Sequence, residues 1–157
     1  MDTKTEQGIQ KQSKGFKLLA WLRSPLYARL RRAHLRLGRR GEQAAAAKLQ
    51  QLGLEILCRN YRSGRYEIDI VARDEAQLCF VEVKTRRYKP GIRPAEAVNA
   101  AKKRRIIRAA RRYLRDIGAV KLKLRFDIVE VVSRKYAPFR INYIKNAFRQ
   151  KSLATQY

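Results

Sequence analysis

Between Tyr66 and Arg87 the chain reads YEIDIVARDEAQLCFVEVKTRR, two strand-like runs joined by a polar turn. Charged residues stand at alternate positions where an interior hairpin should be apolar: Glu67 and Asp69 on the first run, Glu82 and Lys84 on the second. Side chains of a strand alternate between faces, so each pair shares a face. Taking Asp74–Gln77 as a four-residue turn sets Arg73 opposite Leu78. Asp69 then opposes Glu82, and Glu67 opposes Lys84. The reverse face pairs Ile68 with Val83, Ile70 with Val81 and Ala72 with Cys79, all apolar or small. Carboxylates facing each other with Cβ atoms about 5 Å apart repel unless a cation sits between them. A divalent metal meets that need, with Lys84 one pleat further along.

The chain has 157 residues with 45% hydrophobic content, enough for one domain with a sizeable core. Its net charge of +25 implies a polyanionic partner: DNA, RNA or an anionic membrane surface. No acidic residue lies between Glu6 and Glu42, and none follows Glu130, so nearly all carboxylates are central. A basic shell around a local acidic spot suits a phosphate-binding protein that also holds a metal. Cys58 and Cys79 fall in apolar runs and read as free thiols of a reducing, cytoplasmic setting. No apolar run approaches the roughly 20 residues that span a membrane.

Residues 1–15 are polar and expected to be disordered, and residues 16–37 mix apolar groups with cations. Pro25 is expected to divide that segment into two short helical pieces. It reads equally as a nucleic-acid-binding or membrane-surface arm and as a solvated extension. Its single His34 is left without a role. Arg39–Leu52 is a predicted helix stopped by Gly53, with Glu42 in its first turn, where the macrodipole favours an anion. Leu54–Tyr61 is strand-like, 62–65 a turn, and 86–93 a basic loop. Pro94 suits the first position of a helix over Ala95–Ile117, with a bend near Ala100–Lys102. Its apolar stripe is Val98, Ala101, Ile106, Ala109, Ala110, Tyr113, Leu114 and Ile117. Cations cover the rest. Lys121–Val132 alternates cleanly, with Leu122, Leu124, Phe126 and Ile128 inward and Lys121, Lys123, Arg125 and Asp127 outward. Arg140–Ile144 is a candidate last edge strand. Three strands joined by tight turns, then a helix long enough for a parallel crossover, give an α/β domain with a mixed sheet.

Phosphodiester hydrolysis needs an activated water and stabilisation of phosphate charge. Mg²⁺ (or Mn²⁺) on one or two carboxylates supplies both, so Asp69, Glu82 and the backbone carbonyl of Val83 are the candidate ligands. Lys84 can orient or help deprotonate the attacking water, or stabilise charge on the phosphate. Two plainer explanations compete: Lys84 as an ion-pair partner of Glu67, and arginines rather than a metal neutralising Asp69 and Glu82. Arg86, Arg87, Lys103, Arg104, Arg105, Arg108 and Arg111 are the candidate phosphate contacts.

Asp69, followed by Glu82-Val83-Lys84, resembles the PD-(D/E)xK motif of the restriction-endonuclease-like nuclease superfamily. The order Gly41-Glu42, Asn60-Tyr61-Arg62, Glu67-Ile68-Asp69-Ile70-Val71-Ala72 and Phe80-Val81-Glu82-Val83-Lys84-Thr85-Arg86 resembles, more closely, the YraN-like family of small bacterial proteins. The resemblance covers about Gly38 to Phe148. It implies an αβββαβ core and an arrangement similar to Holliday junction resolvases, in which Glu42, Asp69, Glu82 and Lys84 gather at one catalytic site. The family pattern has glycine where this chain has Tyr66. The expected organisation is a basic extension over 1–37, a nuclease-like domain over 38–148 and a tail over 149–157. The expected activity is Mg²⁺-dependent endonucleolytic cleavage of DNA, branched or damaged DNA included. Junction cleavage needs two active sites, which makes a homodimer an expectation, although the sequence carries no interface signature. Two alternatives stand beside it: a DNA- or RNA-binding protein that keeps the nuclease fold without turnover, and a basic protein whose N-terminal arm docks on membranes or ribosomal RNA.

Overall fold

The computed structural model describes residues 24–75, 77–90, 99–118 and 123–149. Its elements are α1 (Pro25–Gln51), β1 (Glu55–Ser63), β2 (Tyr66–Asp74), β3 (Gln77–Arg87), α2 (Ala100–Asp116), β4 (Lys123–Arg134) and β5 (Ala137–Phe148). The sheet and both core layers belong to the unit that begins at Gly38.

α1 is longer than its predicted core. Ser24 caps it, its Oγ accepting from Tyr27 N at 3.1 Å, and Pro25 takes the first helical position, where its missing N–H costs nothing. Pro25 therefore starts a helix rather than dividing one; the piece expected before it lies outside the described residues. Glu42 is consequently in the helix interior, and the macrodipole no longer accounts for it. The C-terminal end closes as predicted. Gly53 has φ of 86°, its N–H donates to Gln50 O at 2.9 Å, and Leu54 N donates to Leu49 O at 3.0 Å.

The five strands lie in the order β1-β2-β3-β4-β5. β1, β2 and β3 form an antiparallel meander, α2 crosses over so that β4 runs parallel to β3, and β5 returns antiparallel. This is the expected mixed sheet of an αβββαβ core, with β5 running over Ala137–Phe148 rather than 140–144. Pro138 is tolerated because β5 is an edge strand.

The β2–β3 register agrees with the pairing read from the turn: Ile70 pairs with Val81, Ala72 with Cys79 and Arg73 with Leu78. Asp74 also pairs with Gln77, so the turn proper is shorter than the four residues expected. In the other direction the ladder stops at Ile70–Val81, and the anticipated rungs at Asp69–Glu82 and Glu67–Lys84 are not formed. Ile68 and Val71 both pack beneath α2, so alternation is lost across Asp69, and Ile68 is not on the face with Ile70 as expected.

One core layer joins Ala45, Ala46 and Leu49 of α1 to Ile70, Ala72, Cys79, Val81, Val129 and Val131. The other joins Ile106, Ala109 and Ala110 of α2 to Val71, Leu78, Phe80, Phe126, Ile128 and Phe148. α2 is described from Ala100, capped by Asn99 Oδ1 accepting from Lys102 N at 2.9 Å. The expected bend at Ala100–Lys102 is therefore the first helical turn, and Pro94 and Val98 lie outside the described residues. Ala101 and Ile117 are exposed rather than on the buried stripe.

β4 departs from the expected alternation. Arg125 and Asp127 do not face solvent, because β4 is central and its second face is covered; Lys121 and Leu122 are outside the described residues. Asp127 is fully buried, accepting from Asn146 N at 2.8 Å, Arg125 Nε at 3.0 Å and Tyr143 OH at 2.6 Å. Arg125 also pairs with Asp74 at 2.7 Å. This network seats a β-bulge of β5, where Asn146 has φ of 53°. Cys79 is buried and Cys58 half-buried, both as free thiols.

Gly41 permits a close approach of α1 to β3. A Cβ there would lie 2.7 Å from Thr85 Cγ2 and 2.8 Å from Thr85 Cβ, with Thr85 Oγ1 nearer still. Gly41→Ala is expected to destabilise the domain by about 1–3 kcal/mol in urea unfolding. Adding Thr85→Ala should recover only part, since the Thr85 Cβ remains. An unchanged midpoint for Gly41→Ala would show that α1 does not pack this closely.

Candidate functional site

The site forms where β2 and β3 part. Asp69 Oδ2 accepts from Val83 N at 2.7 Å, so a side chain replaces a rung of the ladder. Burial and the charge of Glu82 push the Asp69 carboxyl up to about 7, and the Val83 N–H opposes that rise. Glu82, on the next strand, is 7% exposed. Its Oε1 meets Lys102 Nζ of α2 at 3.0 Å, while its Oε2 is buried without a hydrogen-bond partner. Burial raises the Glu82 carboxyl despite the opposing charges of Lys102 and Lys84. For Lys102 burial pulls the other way, but the Glu82 carboxylate wins and its ammonium is held more tightly than usual.

Lys84 lies two residues beyond Glu82, half-buried, and pairs in the parallel ladder with Glu130. Glu130 is buried and accepts from Asn142 Nδ2 at 3.2 Å. The competing explanation of Lys84 does not hold: Glu67 meets Arg62 of β1 at 3.8 Å on the surface instead. Glu42 reaches the same region through the close seat of Gly41 on Thr85, and its charge is felt at Asp69. Val83 was expected to offer its carbonyl; the group that engages the site here is its N–H. Asp69 and Glu82 thus adjoin, Lys84 acts on Glu82 by charge, and Glu42 is near enough for its charge to act on Asp69.

Two adjacent carboxylates with an orphaned oxygen fit a divalent cation. Among the described residues no three of His, Cys, Asp or Glu converge as a closed metal cage. That is compatible with Mg²⁺, which keeps several waters and takes one or two carboxylates.

The candidate phosphate contacts fall in two places. Arg86 and Arg87 end β3, Arg86 half-buried with partners and Arg87 exposed. Arg104, Arg105, Arg108 and Arg111 are exposed on α2, whereas Lys103 turns its ammonium over the Phe148 ring at 5.5 Å. Tyr66, at the position where the family pattern has glycine, is flanked by Arg65 and Arg112. Hydrogen bonds from Arg65 and Arg108 lower its phenol below the ordinary value.

The residue that sequence reasoning missed is Lys102, which appeared only as one cation of a basic helix. A signal existed: with Asn99 as cap, Lys102 stands in the first helical turn, which carries no acid and where the macrodipole disfavours cations. A cation there needs an anion facing it, and Glu82 is that anion.

A family model described as "Uncharacterised protein family UPF0102" matches residues 41–131. The chain is similar to a UPF0102 protein of Desulfosudis oleivorans, 45% identical over 111 residues, covering 71% of this chain and 88% of the relative. A UPF0102 protein of Symbiobacterium thermophilum is 47% identical over 113 residues, covering 72% and 96%. One of Bacteroides thetaiotaomicron is 44% identical over 115 residues, covering 73% and 93%. The matched stretch holds Asp69, Glu82, Lys84 and Lys102, and it begins at Gly41, beside Glu42.

The Asp69 shift has a measurable consequence. Folded, this carboxyl keeps its proton to about pH 7; unfolded, it releases it near 3.9. Between those values the folded chain binds more protons, so the stability this group contributes is full below about pH 3.9 and is lost as pH rises to and through 7. In EDTA, thermal unfolding followed over that window should show a fall that Asp69→Asn makes shallower. An Asp69→Asn profile as steep as wild type would refute the assignment.

Proposed function

This chain belongs to the UPF0102 family, the YraN-like family of restriction-endonuclease-like fold, and on that premise we propose that it is a metal-dependent endonuclease acting on DNA. The observation that carries the reading is the buried, unpartnered Oε2 of Glu82 beside the proton-retaining Asp69, with Lys84 two residues further along the same strand. A pair of carboxylates held this dry and this close is costly to the fold unless a cation is its normal occupant.

Asp69 and Glu82 would hold Mg²⁺ or Mn²⁺, which when bound polarises a phosphoryl oxygen and acidifies water. The remaining work falls to the chain. The Val83 N–H fixes the orientation of Asp69. Lys84 orients the attacking water or neutralises charge building on the phosphate. Glu42 adds a further negative charge near Asp69, suited to holding a water rather than the phosphate itself. Arg104, Arg105, Arg108 and Arg111 track the backbone of the bound strand through phosphate contacts, which carry affinity without base preference.

One observation favours a second reading, a nucleic-acid-binding protein without turnover: Lys102 already neutralises Glu82 without any metal. Cleavage separates the two. Supercoiled plasmid and a four-way junction are incubated with the protein and Mg²⁺, Mn²⁺ or EDTA. Metal-dependent cutting is expected, reduced by about 10²-fold or more in Glu82→Ala and Lys84→Ala, while binding of the same DNA persists. Binding without cutting under every metal would favour the second reading, and undiminished cutting by Glu82→Ala would remove this site from the reaction.

A further inference from the structure

The β4–β5 hairpin carries a surface that phosphodiester chemistry leaves unused. Its turn passes through Lys135 and Tyr136, and Tyr136 is 94% exposed with φ of 60°. A bulky residue is strained in that region and glycine is not, so the ring gains the fold nothing there. Beside it lies a pocket of about 540 Å³ lined by Arg40, Ser133, Arg134, Tyr136, Pro138 and Phe139. Among the described residues three aromatic rings at this end have a cation over one face. Arg40 lies over Phe139 at 5.4 Å, Arg134 over the half-exposed Tyr88 at 4.6 Å, and Lys135 Nζ is 5.0 Å from the Tyr136 centroid. Among the described residues no carboxylate lines the pocket.

The pocket is tied to the site through the sheet. Lys84 pairs with Glu130, Arg87 pairs with Ser133, and Tyr88 N donates to Ser133 O at 2.8 Å. The offset along the strands is about 10 Å at roughly 3.3 Å per residue, with Phe139 and Arg40 on the α1 side of the sheet and Glu82 turned to Lys102 of α2, so a bound strand passes over the end of β3 to reach both. Open aromatic faces interleaved with cations bind nucleotides whose bases are unstacked, the rings taking the base and the cations the phosphates. A continuous duplex keeps its base faces stacked inside and can use only the cations.

We propose that this pocket docks unpaired nucleotides of the strand held at Asp69 and Glu82, which makes the preferred substrate a nucleic acid with a single-stranded segment beside the scissile bond. The inference rests on the phosphodiester reading of that site.

Tyr136→Gly tests it, because relief of the positive φ keeps the variant at least as stable as wild type in urea unfolding. Fluorescence anisotropy is measured with a blunt duplex, a single strand, and a duplex bearing a single-stranded flap. Tyr136→Gly is expected to bind the single strand and the flap about tenfold more weakly and the blunt duplex unchanged, while Tyr136→Phe retains wild-type binding. A 2-aminopurine base in the flap should be quenched by wild type and not by Tyr136→Gly. Equal binding of flap and blunt duplex by wild type overturns the pocket but leaves the site reading standing. So does wild-type affinity of Tyr136→Gly for the flap, or an equal loss on all three probes. A wild-type chain that binds none of the probes overturns the site reading itself, and this inference with it.

Discussion

The hydrogen bond from Val83 N to Asp69 Oδ2 is the interaction on which the rest of the site depends. A backbone N–H in an interior strand must find an acceptor, and in an ordinary ladder a carbonyl provides it. Here a carboxylate does, so β2 and β3 remain hydrogen-bonded as far as Ile70 and Val81 and part beyond them. The parting opens the sheet beside Glu82 while leaving Val83 satisfied. Held by a backbone donor and buried, Asp69 stays beside Glu82, and the pair relieves its repulsion by Asp69 keeping a proton to about pH 7.

That confinement sits inside a chain of net charge +25. The general field is hostile to cations and welcoming to phosphates, and the Asp69–Glu82 pair opposes it locally. Lys102 answers this charge from α2, and the helix start tolerates a cation there because Glu82 faces it. The arginines further along α2 lack such partners at the site and remain exposed. One helix thus presents a cation inward at its first turn and a basic surface outward along its length.

How much of this could be read from the residues varies with physical locality. The β2–β3 register was legible because a tight turn forces paired positions to run in step, and a slip would have sent Ile70 and Val81 to the wrong face. The end of that register at Asp69 was not legible, since alternation alone does not say when a side chain will take over from the ladder. Glu42 could be located only by resemblance: its neighbour Gly41 reports a close approach, but not to what. Arg125 and Asp127 were misread as solvent-facing because clean alternation looks the same for a strand with one covered face and for a central strand with a buried polar network. Lys102 was hidden by its surroundings, one cation among eight on the same helix. No periodicity marks which of them turns inward. The Tyr136 turn drew no notice either, since an exposed tyrosine is unremarkable in sequence until its backbone conformation is known.

The Asp127 network gives the sheet unequal ends. Asp74 at the tip of the β2–β3 hairpin, Arg125 and Asp127 on β4, and Tyr143 and Asn146 on β5 are riveted together by charge-assisted bonds. At the opposite end, past Ile70 and Val81, the described link between β2 and β3 is the single bond from Val83 N to Asp69 Oδ2. The strands behave like tongs with a fixed pivot. Opening of β2 from β3 is expected to cost less at the jaws, held by one bond, than at the hinge. On either side β1 and β4 keep their ladders with β2 and β3 past this point, so compliance there is local to the gap between two strands.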